Sequence, residues 1–472
     1  MIDPDLIVSC SANGVCSTVH AVLFSLLVFA TLMGGFAYAT WLERRLVARI
    51  QHRVGPNRQG PAGLFQPIAD GIKLIFKEDV TPLEADKVIY WVAPFLKVIP
   101  ALILLAVVPL GPPLLIPWLD GLWYEVPLGI ADVNIGVLWL LAITSVGTYG
   151  VVLAGWSSGN KYSMLGGLRS SAQMISYELS MGLGMVVPLM IVGSMSINDI
   201  VQAQAYPAFG LGWFVWQNPL AAALLMIALL AEVNRSPFDM PEAEAELVGG
   251  YHTEYSGMKF AMFFAAEYIG MIAISAIAAS MFFGGYHWPL PADFAPIFGP
   301  VNMFIKIVAG LSGMVWIRAT LPRIRYDHLM YLGWKVLFPL SLLAVAWSAL
   351  TITVGELFDD PTTYAVVSGM VMGLVVLVIL TALWRRDVET TAQRPDMTDS
   401  RTSLGWIIIQ AVGAILAAPF ALYDWLKKQR PGVEDFVTTM QERREAAQVA
   451  AAAGEGGDLP APGAADGDED EA

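Results

Sequence analysis

The sequence predicts an all-α membrane protein, a polytopic bundle of about nine transmembrane helices with one interfacial amphipathic helix. The first observation is compositional. Of the 472 residues, 56% are hydrophobic and only 14% are charged, whereas a soluble globular protein carries about 25% charged residues. The second is that apolar runs of about 20 residues, long enough to cross the hydrocarbon layer, recur along most of the chain. Because only helices satisfy every backbone polar group within such a segment, we expect these spans to be helical.

The predicted transmembrane domain covers residues 19–384. Its spans are 19–41, 91–110, 133–156, 172–194, 211–233, 260–283, 301–317, 331–354 and 364–384. Residues 1–18 form an external N-terminus. It carries Asp3 and Asp5 where a cleaved signal peptide would begin with bases, so a signal peptide is not predicted.

Two further segments follow the last span. Residues 385–430 are predicted to form a cytoplasmic interfacial extension. Its apolar stretch 404–422 either lies along the interface or crosses the membrane. The bases that directly follow this stretch favour the interface, because crossing would place them outside. Residues 431–472 are rich in Ala, Gly, Pro and acids, which predicts a disordered acidic tail.

The bases alternate between successive connections, and this alternation sets the predicted orientation. Alternate connections contain no Lys or Arg: 111–132, 195–210, 284–300 and 355–363. The remaining connections hold nearly all of the bases. The positive-inside rule therefore places those loops and the C-terminus in the cytoplasm and the N-terminus outside, with the lipid bilayer between them.

Cys10 and Cys16 lie on the predicted outer side. They either form a disulfide, which that oxidising compartment permits, or are two unpaired small residues at a frayed terminus. Two cysteines exclude a thiolate-ligated iron–sulfur cluster or structural zinc site within this chain, so no metal site is predicted.

The net charge of −14 argues against nucleic acid as a partner, although seven acids between residues 454 and 472 account for half of it.

The first cytoplasmic loop, residues 42–90, is predicted to contain the amphipathic helix. Its apolar residues recur at helical spacing on one face: Leu64, Phe65, Ile68, Ile72, Ile75 and Phe76. Asp70 and Lys73 point elsewhere. Such a short helix lies in the interface plane rather than across it. The preceding HRVGPNRQGP is rich in Gly and Pro, as in a loop that shapes a cavity.

The third cytoplasmic loop, residues 232–259, is unusually acidic. Its acids are Glu232, Asp239, Glu242, Glu244, Glu246 and Glu254. Like charges one turn apart, together with partial burial, raise carboxylate pKa values, which is what a proton carrier near neutral pH requires. The sequence SPFD at 236–239 also fits a capping box, so Asp239 is either a proton carrier or a helix cap. TPLE at 81–84 has the same form and is predicted to cap a helix.

Ionisable groups inside the spans are the next indication of function. Glu178, Glu267 and Lys306 are placed deep enough that each is expected to face the bundle interior and a partner or water. Lys97 and Lys335 lie nearer the cytoplasmic surface, and we expect both to snorkel. Buried carboxylates beside a polar vestibule suit proton or ion movement, or a lipophilic ligand with a polar head.

Several long segments carry a resemblance to a known family: ERRLVARIQHRVGPNRQGPAGLFQPIADGIKLIFKED, SAQMISYELS, AEVNRSPFDMPEAEAELVGGYHTEY, FFAAEY and WIRATLPRIRYDHLMYLGWK. In this order, between residues 41 and 335, they resemble the quinone-module membrane subunit of respiratory complex I. In bacteria this is the H subunit of NADH-quinone oxidoreductase, and in mitochondria it is NADH dehydrogenase subunit 1.

The resemblance implies a subunit of a proton-translocating NADH-quinone oxidoreductase in the bacterial inner membrane, active only in the assembled complex. Its implied partners are the peripheral iron–sulfur subunits of the quinone module and the other membrane-arm subunits. The implied substrate is a quinone, either ubiquinone or menaquinone. This chain alone is expected to bind no cofactor, so the electrons must come from a partner.

The resemblance also assigns residues. The implied quinone tunnel contains Glu43, Arg44, Arg53, Gln66, Asp70, Lys73, Arg235, Phe264 and Glu267. The implied acidic path, which links the quinone cavity to proton-pumping subunits, contains Glu178, Glu232, Glu242, Glu244, Glu246 and Glu267. Many relatives carry a second base after Arg53 where this chain has Val54, so no essential role is assigned to that base.

Three alternatives compete with this hypothesis. An equivalent subunit of a membrane-bound hydrogenase or a deazaflavin-dependent quinone reductase would share the carboxylates, but the complete region 53–70 favours quinone. A stand-alone proton-coupled transporter predicts inverted repeats, which the sequence does not show. A passive structural anchor leaves the buried glutamates unexplained.

Overall fold

The helices of the bundle follow the predicted spans through most of the chain. The computed structural model describes residues 7–10, 13–117, 122–205, 212–240, 247–287, 295–357, 369 and 371. All of these belong to one unit, Met1–Thr398. The stretch 404–422, the tail and all but two residues of the predicted span 364–384 lie outside the described residues.

Most described residues belong to helices. In chain order these are α1 (Gly14–Ile50), α2 (Gln66–Phe76), α3 (Lys87–Leu104), α4 (Gly136–Ser157), α5 (Lys161–Val192), α6 (Ile197–Ala203), α7 (Phe214–Gln217), α8 (Pro219–Glu232), α9 (Gly257–Phe282), α10 (Ala295–Thr320), α11 (Tyr326–Tyr331) and α12 (Phe338–Leu357). A π-helical stretch, Leu332–Leu337, joins α11 to α12. Within the described ranges, seven helices are long and apolar enough to cross a membrane, and the shorter apolar α8 lies within the predicted fifth span. The predicted fold class is confirmed.

Helix α1 extends further than its predicted span. It has 37 residues, which at about 1.5 Å per residue exceeds the roughly 30 Å of the hydrocarbon core. The helix therefore continues beyond the predicted span into the loop that follows it, and it carries Glu43 and Arg44 on regular helix. The Asn13 side chain begins the helix by accepting a hydrogen bond from the Val15 amide.

Helix α9 lies at the centre of the bundle. In its most apolar 18-residue window 67% of the residues are buried, against 22% in α1. Neighbouring helices approach closely where glycines face each other: a Cβ built on Gly155 of α4 would lie 3.1 Å from the Cα of Gly167 on α5. Small residues allow such approach where burial of apolar surface cannot drive helix association in lipid.

Helix α2 is the predicted amphipathic helix. Ile68, Ile72 and Ile75 are each more than half exposed, and the helix packs against α1 and α9. An exposed apolar row on a helix attached to the side of a membrane bundle is suited to the lipid interface. Its position agrees with the predicted interfacial role.

The predicted caps at residues 81–84 and 236–239 are wrong. Helix α3 begins at Lys87, and its cap is Asp86, whose carboxylate accepts from the amides of Val88 and Ile89. Residues 236–239 form turns rather than a helix start, with the Phe238 amide bonded to the Arg235 carbonyl. A different local cap is therefore used at α3, whereas the segment 236–239 is held by hydrogen bonds that its carbonyls accept from Gln173 and from the Ile324 amide.

A small three-stranded sheet, which the sequence did not predict, joins the N-terminal segment to the connection between α3 and α4. Strand β1 (Ile7–Ser9) pairs parallel with β3 (Trp123–Leu128), and β2 (Gly111–Pro117) pairs antiparallel with β3. Cys10 and Cys16 form a disulfide that is buried together with Tyr124. Of the two alternatives for these cysteines, the structure therefore has the disulfide.

Lys306 faces the bundle interior, as predicted. Its ammonium donates to the carbonyls of Phe283, Gly285 and His287 at 2.6–2.7 Å and lies 4.4 Å from the centre of the Trp213 ring. The lysine therefore satisfies carbonyls beyond the C-terminal end of α9, which gives it a structural role.

Candidate functional site

Glu43 is the centre of a buried ion-pair cluster at one end of the bundle. Its carboxylate accepts hydrogen bonds from Arg235 at 3.1 Å, from the Tyr268 hydroxyl at 2.5 Å and from Arg318. The Arg235 Nε lies 2.7 Å from an oxygen of Glu267. We call these five residues the Glu43 cluster. Helices α1, α9 and α10 and the segment after α8 each contribute at least one of them.

The Glu43 cluster is balanced in charge, with two carboxylates against two guanidinium groups. Glu43 is 6% and Arg235 5% exposed, so removing any one charge would leave an uncompensated charge in a poorly solvated place. Burial lowers the pKa of Arg235, but Glu267, Tyr268 and Glu43 together raise it above its ordinary value. The guanidinium therefore stays charged, and its plane covers the Tyr268 ring at 4.5 Å.

A second cluster lies around Asp70 and is much more exposed. The Asp70 carboxylate accepts from Arg44 at 2.8 Å, from Gln66 at 3.3 Å and from Lys73 at 3.5 Å. The Arg44 side chain is 49% exposed, so each of these pairs contributes little to stability. Because Arg44 follows Glu43 on α1, one helical turn holds both the buried and the exposed cluster.

Phe264 belongs to an aromatic wall beside the Glu43 cluster. Phe260, Phe264 and Tyr268 follow each other at one-turn spacing on α9, with ring centres 6.1 and 4.8 Å apart. Phe36 of α1 meets the Phe264 ring edge-on at 6.4 Å. This wall is apolar up to the Tyr268 hydroxyl, where the charged cluster begins.

Arg53 lies apart from both clusters. It is exposed, and its Nε donates to the side chain of Gln51 at 2.8 Å. Of the predicted tunnel residues, the structure therefore brings Glu43, Arg235, Phe264 and Glu267 together, and it gathers Arg44, Gln66, Asp70 and Lys73 beside them.

A cavity of about 70 Å³ lies between α3, α4, α8 and α9. Its polar lining consists of Lys97, Thr144, Glu232, Asn234, Tyr251 and Glu267. A space of this size holds a few water molecules. Glu267 both lines this cavity and contacts Arg235, so the cavity and the Glu43 cluster share one carboxylate. We call this space the Glu232 cavity.

Besides Glu267, the structure describes two of the residues predicted for the acidic path, Glu232 and Glu178. Glu232 lies in the wall of the cavity and is 8% exposed. Glu178 of α5 accepts a hydrogen bond from Ser145 of α4 and is partly buried. Glu242, Glu244 and Glu246 lie outside the described residues.

Lys97 corrects a prediction. Its side chain lines the Glu232 cavity instead of snorkelling to the cytoplasmic surface. Lys335, in contrast, is exposed, with its ammonium 4.9 Å from the centre of the Tyr331 ring, as expected of a snorkelling lysine. Hydropathy places both lysines near a helix end but does not tell which way each helix is turned.

Asp239 pairs with Arg323 at 2.8 Å and so ties the segment after α8 to the segment after α10. Nearby His252, in the turn Gly250–His252, is a further titratable group. Burial lowers the pKa of His252 to about 4, although Asp239 acts in the opposite direction. This imidazole is therefore neutral at physiological pH.

Sequence reasoning missed three members of the site: Tyr268, Arg318 and Lys97. Tyr268 could have been found, because it follows Glu267 directly and lies one turn after Phe264. Arg318 directly follows the predicted span 301–317, where it is one of the bases that set the predicted orientation. Within the described ranges no group of three or more His, Cys, Asp or Glu side chains could hold a metal ion.

Comparison with known proteins identifies relatives over most of the bundle. A model of the family described as NADH dehydrogenase matches residues 23–349. The chain is 50% identical over 333 residues to the H subunit of NADH-quinone oxidoreductase from Thermomicrobium roseum, covering 70% of this chain and 94% of that protein. It is 47% identical over 327 residues to the second of two such H subunits in Geobacter sulfurreducens, covering 69% and 94%.

A third relative reaches further along the chain. The H subunit of NADH-quinone oxidoreductase from Deinococcus radiodurans is 46% identical over 370 residues, covering 76% of this chain and 90% of that protein. The residues matched by the family model, 23–349, contain every residue of the Glu43 cluster and of the Glu232 cavity wall. This chain belongs to the NADH dehydrogenase family, among relatives named as H subunits of NADH-quinone oxidoreductase.

Proposed function

We propose that this chain forms the membrane end of the quinone site of a proton-translocating NADH-quinone oxidoreductase and the start of its proton path. The observation that carries the proposal is the position of Glu267. One carboxylate contacts the Glu43 cluster and also lines the Glu232 cavity. A charge that develops near Arg235 can therefore change the protonation of the carboxylates that line the cavity without any long-range movement.

The aromatic wall supplies the other half of the proposal. A quinone has a neutral headgroup and an apolar tail, so its path needs apolar walls that end at polar groups. Phe260 and Phe264 lead to the Tyr268 hydroxyl and the Arg235 guanidinium. The amphipathic helix α2, packed against α1 and α9, lies on the side of this wall that faces the lipid.

The proposed chemistry is a two-electron, two-proton reduction of quinone to quinol. The electrons come from iron–sulfur subunits of the peripheral arm, because this chain has no ligands for a cluster. An anionic quinone species beside Arg235 or Arg318 competes with Glu43 and Glu267 for the same guanidinium groups. The carboxylate that is released then takes up a proton through the Glu232 cavity, and Glu178 and the acids of residues 242–246 continue the path.

The wider assignment follows from the same proposal. The partners are the peripheral iron–sulfur subunits and the other membrane-arm subunits, and the location is the bacterial inner membrane. The N-terminus is outside and the large loops are cytoplasmic, as the alternation of bases favours. The disulfide between Cys10 and Cys16 supports an oxidising outer side.

The test is the variant Glu267→Gln in the assembled complex. We expect the NADH:quinone rate to fall at least about tenfold, because one carboxylate is lost from both the cluster and the cavity. Electron transfer from NADH to an artificial acceptor is expected to stay unchanged. The exposed Glu84→Gln, in the same loop as the Asp70 cluster, is the matched control. A normal quinone rate in Glu267→Gln would refute the proposal.

A further inference from the structure

Lys97 is a basic side chain turned into the interior of the bundle. Helix α3 approaches α4 closely at Gly150, where a Cβ would lie 2.8 Å from the Lys97 amide nitrogen. One turn earlier, a Cβ on Gly147 would lie 3.9 Å from the Lys97 ammonium. Gly150 thus allows the backbones of α3 and α4 to approach closely, and the Lys97 side chain runs beside Gly147 to the wall of the Glu232 cavity.

The ammonium of Lys97 has little else to bind. Among the described residues its hydrogen-bond partner is the thioether of Met174, at 3.7 Å. A thioether is a weak acceptor, whereas an ammonium has three donors. The remaining donors open into the cavity, where water is the available acceptor.

Glu232 faces the same cavity from α8. It is more than nine-tenths buried, and its Oε2 has no hydrogen-bond partner among the described residues. Glu267, the other cavity carboxylate, is held by Arg235 at 2.7 Å. Of the described residues that line the cavity, Lys97 is the only base. Lys97 and Glu232 are therefore complementary groups, each lacking a strong partner of its own.

We propose that Lys97 is the counter-ion of Glu232 and exchanges a proton with it through water in the cavity. In one state the pair is an ammonium and a carboxylate. In the other, an N–H bond of Lys97 has broken, an O–H bond of Glu232 has formed, and both groups are neutral. The pair holds one proton in either state, so it can relay a proton between Glu267 and the next acid without a change in its net charge.

This inference rests on the proposed function, and its decisive variant is Lys97→Arg. Arginine keeps the positive charge but does not release a proton in the working pH range. In the assembled complex we expect the NADH:quinone rate to fall at least about tenfold and proton pumping to fall with it, while artificial-acceptor reduction is unchanged. The control is Lys335→Arg, at the exposed lysine, which is expected to behave as wild type.

The pH profile separates a proton carrier from a merely structural lysine. The titratable groups facing Lys97 are Glu267 on α9, Glu232 on α8 and Tyr251 in the turn before α9, with Glu178 next to the cavity on α5. A structural lysine would scale the quinone rate equally at every pH. Loss of a proton carrier is expected to change the shape of the profile in Lys97→Arg.

A double-mutant cycle tests the pairing itself. Lys97→Met combined with Glu232→Gln is expected to be no slower than the slower single variant, because each single change already disables the pair. If the rate reductions of the two single variants multiply in the double variant, the pairing is overturned. If Lys97→Met alone fails to assemble, assembly of the double variant supports the pair, since both charges are then removed together.

The two proposals can fail separately. If neither Lys97→Met nor the double variant assembles, Lys97→Arg decides: normal quinone reduction and pumping in it overturn the inference. If the NADH:quinone rate is low in Glu267→Gln but normal in Lys97→Arg, only the proposed role of Lys97 is rejected. A normal Glu267→Gln would reject the proposed function.

Discussion

The Nε of Arg235 lies 2.7 Å from a carboxylate oxygen of Glu267, while the Nη2 of the same guanidinium lies 3.1 Å from Glu43. One side chain thus joins a carboxylate on α1 to a carboxylate on α9. The planar fork of arginine suits this bridging position in a way that the single ammonium of lysine does not. The bridge also connects the candidate quinone site with the Glu232 cavity.

Removal of the charge at Glu43 is expected to unbalance the buried cluster. Breaking a buried ion pair by removing one partner costs about 3–5 kcal/mol, because the remaining charge stays buried. Glu43→Gln is therefore expected to lower the melting temperature of the assembled complex and to slow quinone reduction. Asp70→Asn is the matched control, since its exposed pairs contribute only about 0–1 kcal/mol each. Equal melting temperatures for the two variants would contradict the burial argument.

Tyr268→Phe tests the hydroxyl at the end of the aromatic wall. The substitution keeps the ring under Arg235 and removes the hydrogen bond to Glu43. A hydrogen bond to a charged group contributes about 1.5–3 kcal/mol. We expect normal assembly and a quinone rate reduced by roughly tenfold or more, as steady-state kinetics would show. Phe260→Leu, at the far end of the wall, is expected to have a smaller effect.

The disulfide between Cys10 and Cys16 is expected to stabilise the fold without affecting catalysis. It closes a short loop between Cys10 and Cys16 next to the sheet, for which the loop-entropy estimate is about 2 kcal/mol. Replacing both cysteines by serine is expected to lower the thermal stability of the purified complex and to leave the quinone rate unchanged. A loss of quinone activity with unchanged stability would mean that the outer sheet takes part in the reaction.

His252 makes a prediction about pH. Its pKa is lowered by burial from 6.5 to about 4, so the unfolded state binds a proton more readily than the folded state. The contribution of neutral, buried His252 to the free energy of unfolding is therefore fully present above pH 6.5 and is lost as the pH falls toward 4. His252→Gln is expected to make the melting temperature less sensitive to pH in this window. Above pH 7 the pH–rate profile is expected to match that of the wild type.

The segments that span the membrane could be predicted from the sequence because hydropathy is a local property. A run of apolar residues must be helical in lipid whatever surrounds it. For the same reason the amphipathic α2 was found from the spacing of Ile68, Ile72 and Ile75 alone. The cap predicted at 81–84 failed because Asp86, further along the same segment, caps α3 instead. The cap predicted at 236–239 failed because this segment forms turns, whose carbonyls accept hydrogen bonds from Gln173 and Ile324.

The site itself depends on contacts that no local pattern contains. Glu43 meets Arg235 across 192 positions and Arg318 across 275. The family resemblance indicated Glu43, Arg235 and Glu267, but not the charge balance that Arg318 completes or the hydrogen bond that Tyr268 donates to Glu43.

Lys97 shows most clearly what could not be predicted from the sequence alone. Local hydropathy and charge were enough to predict the membrane class, the spans, the orientation expected from the bases and the presence of costly carboxylates within the bundle. They contain no information on how each helix is turned about its axis. That rotation is set by packing between helices at positions such as Gly147 and Gly150, and it directs the Lys97 ammonium toward Glu232 rather than toward the cytoplasm.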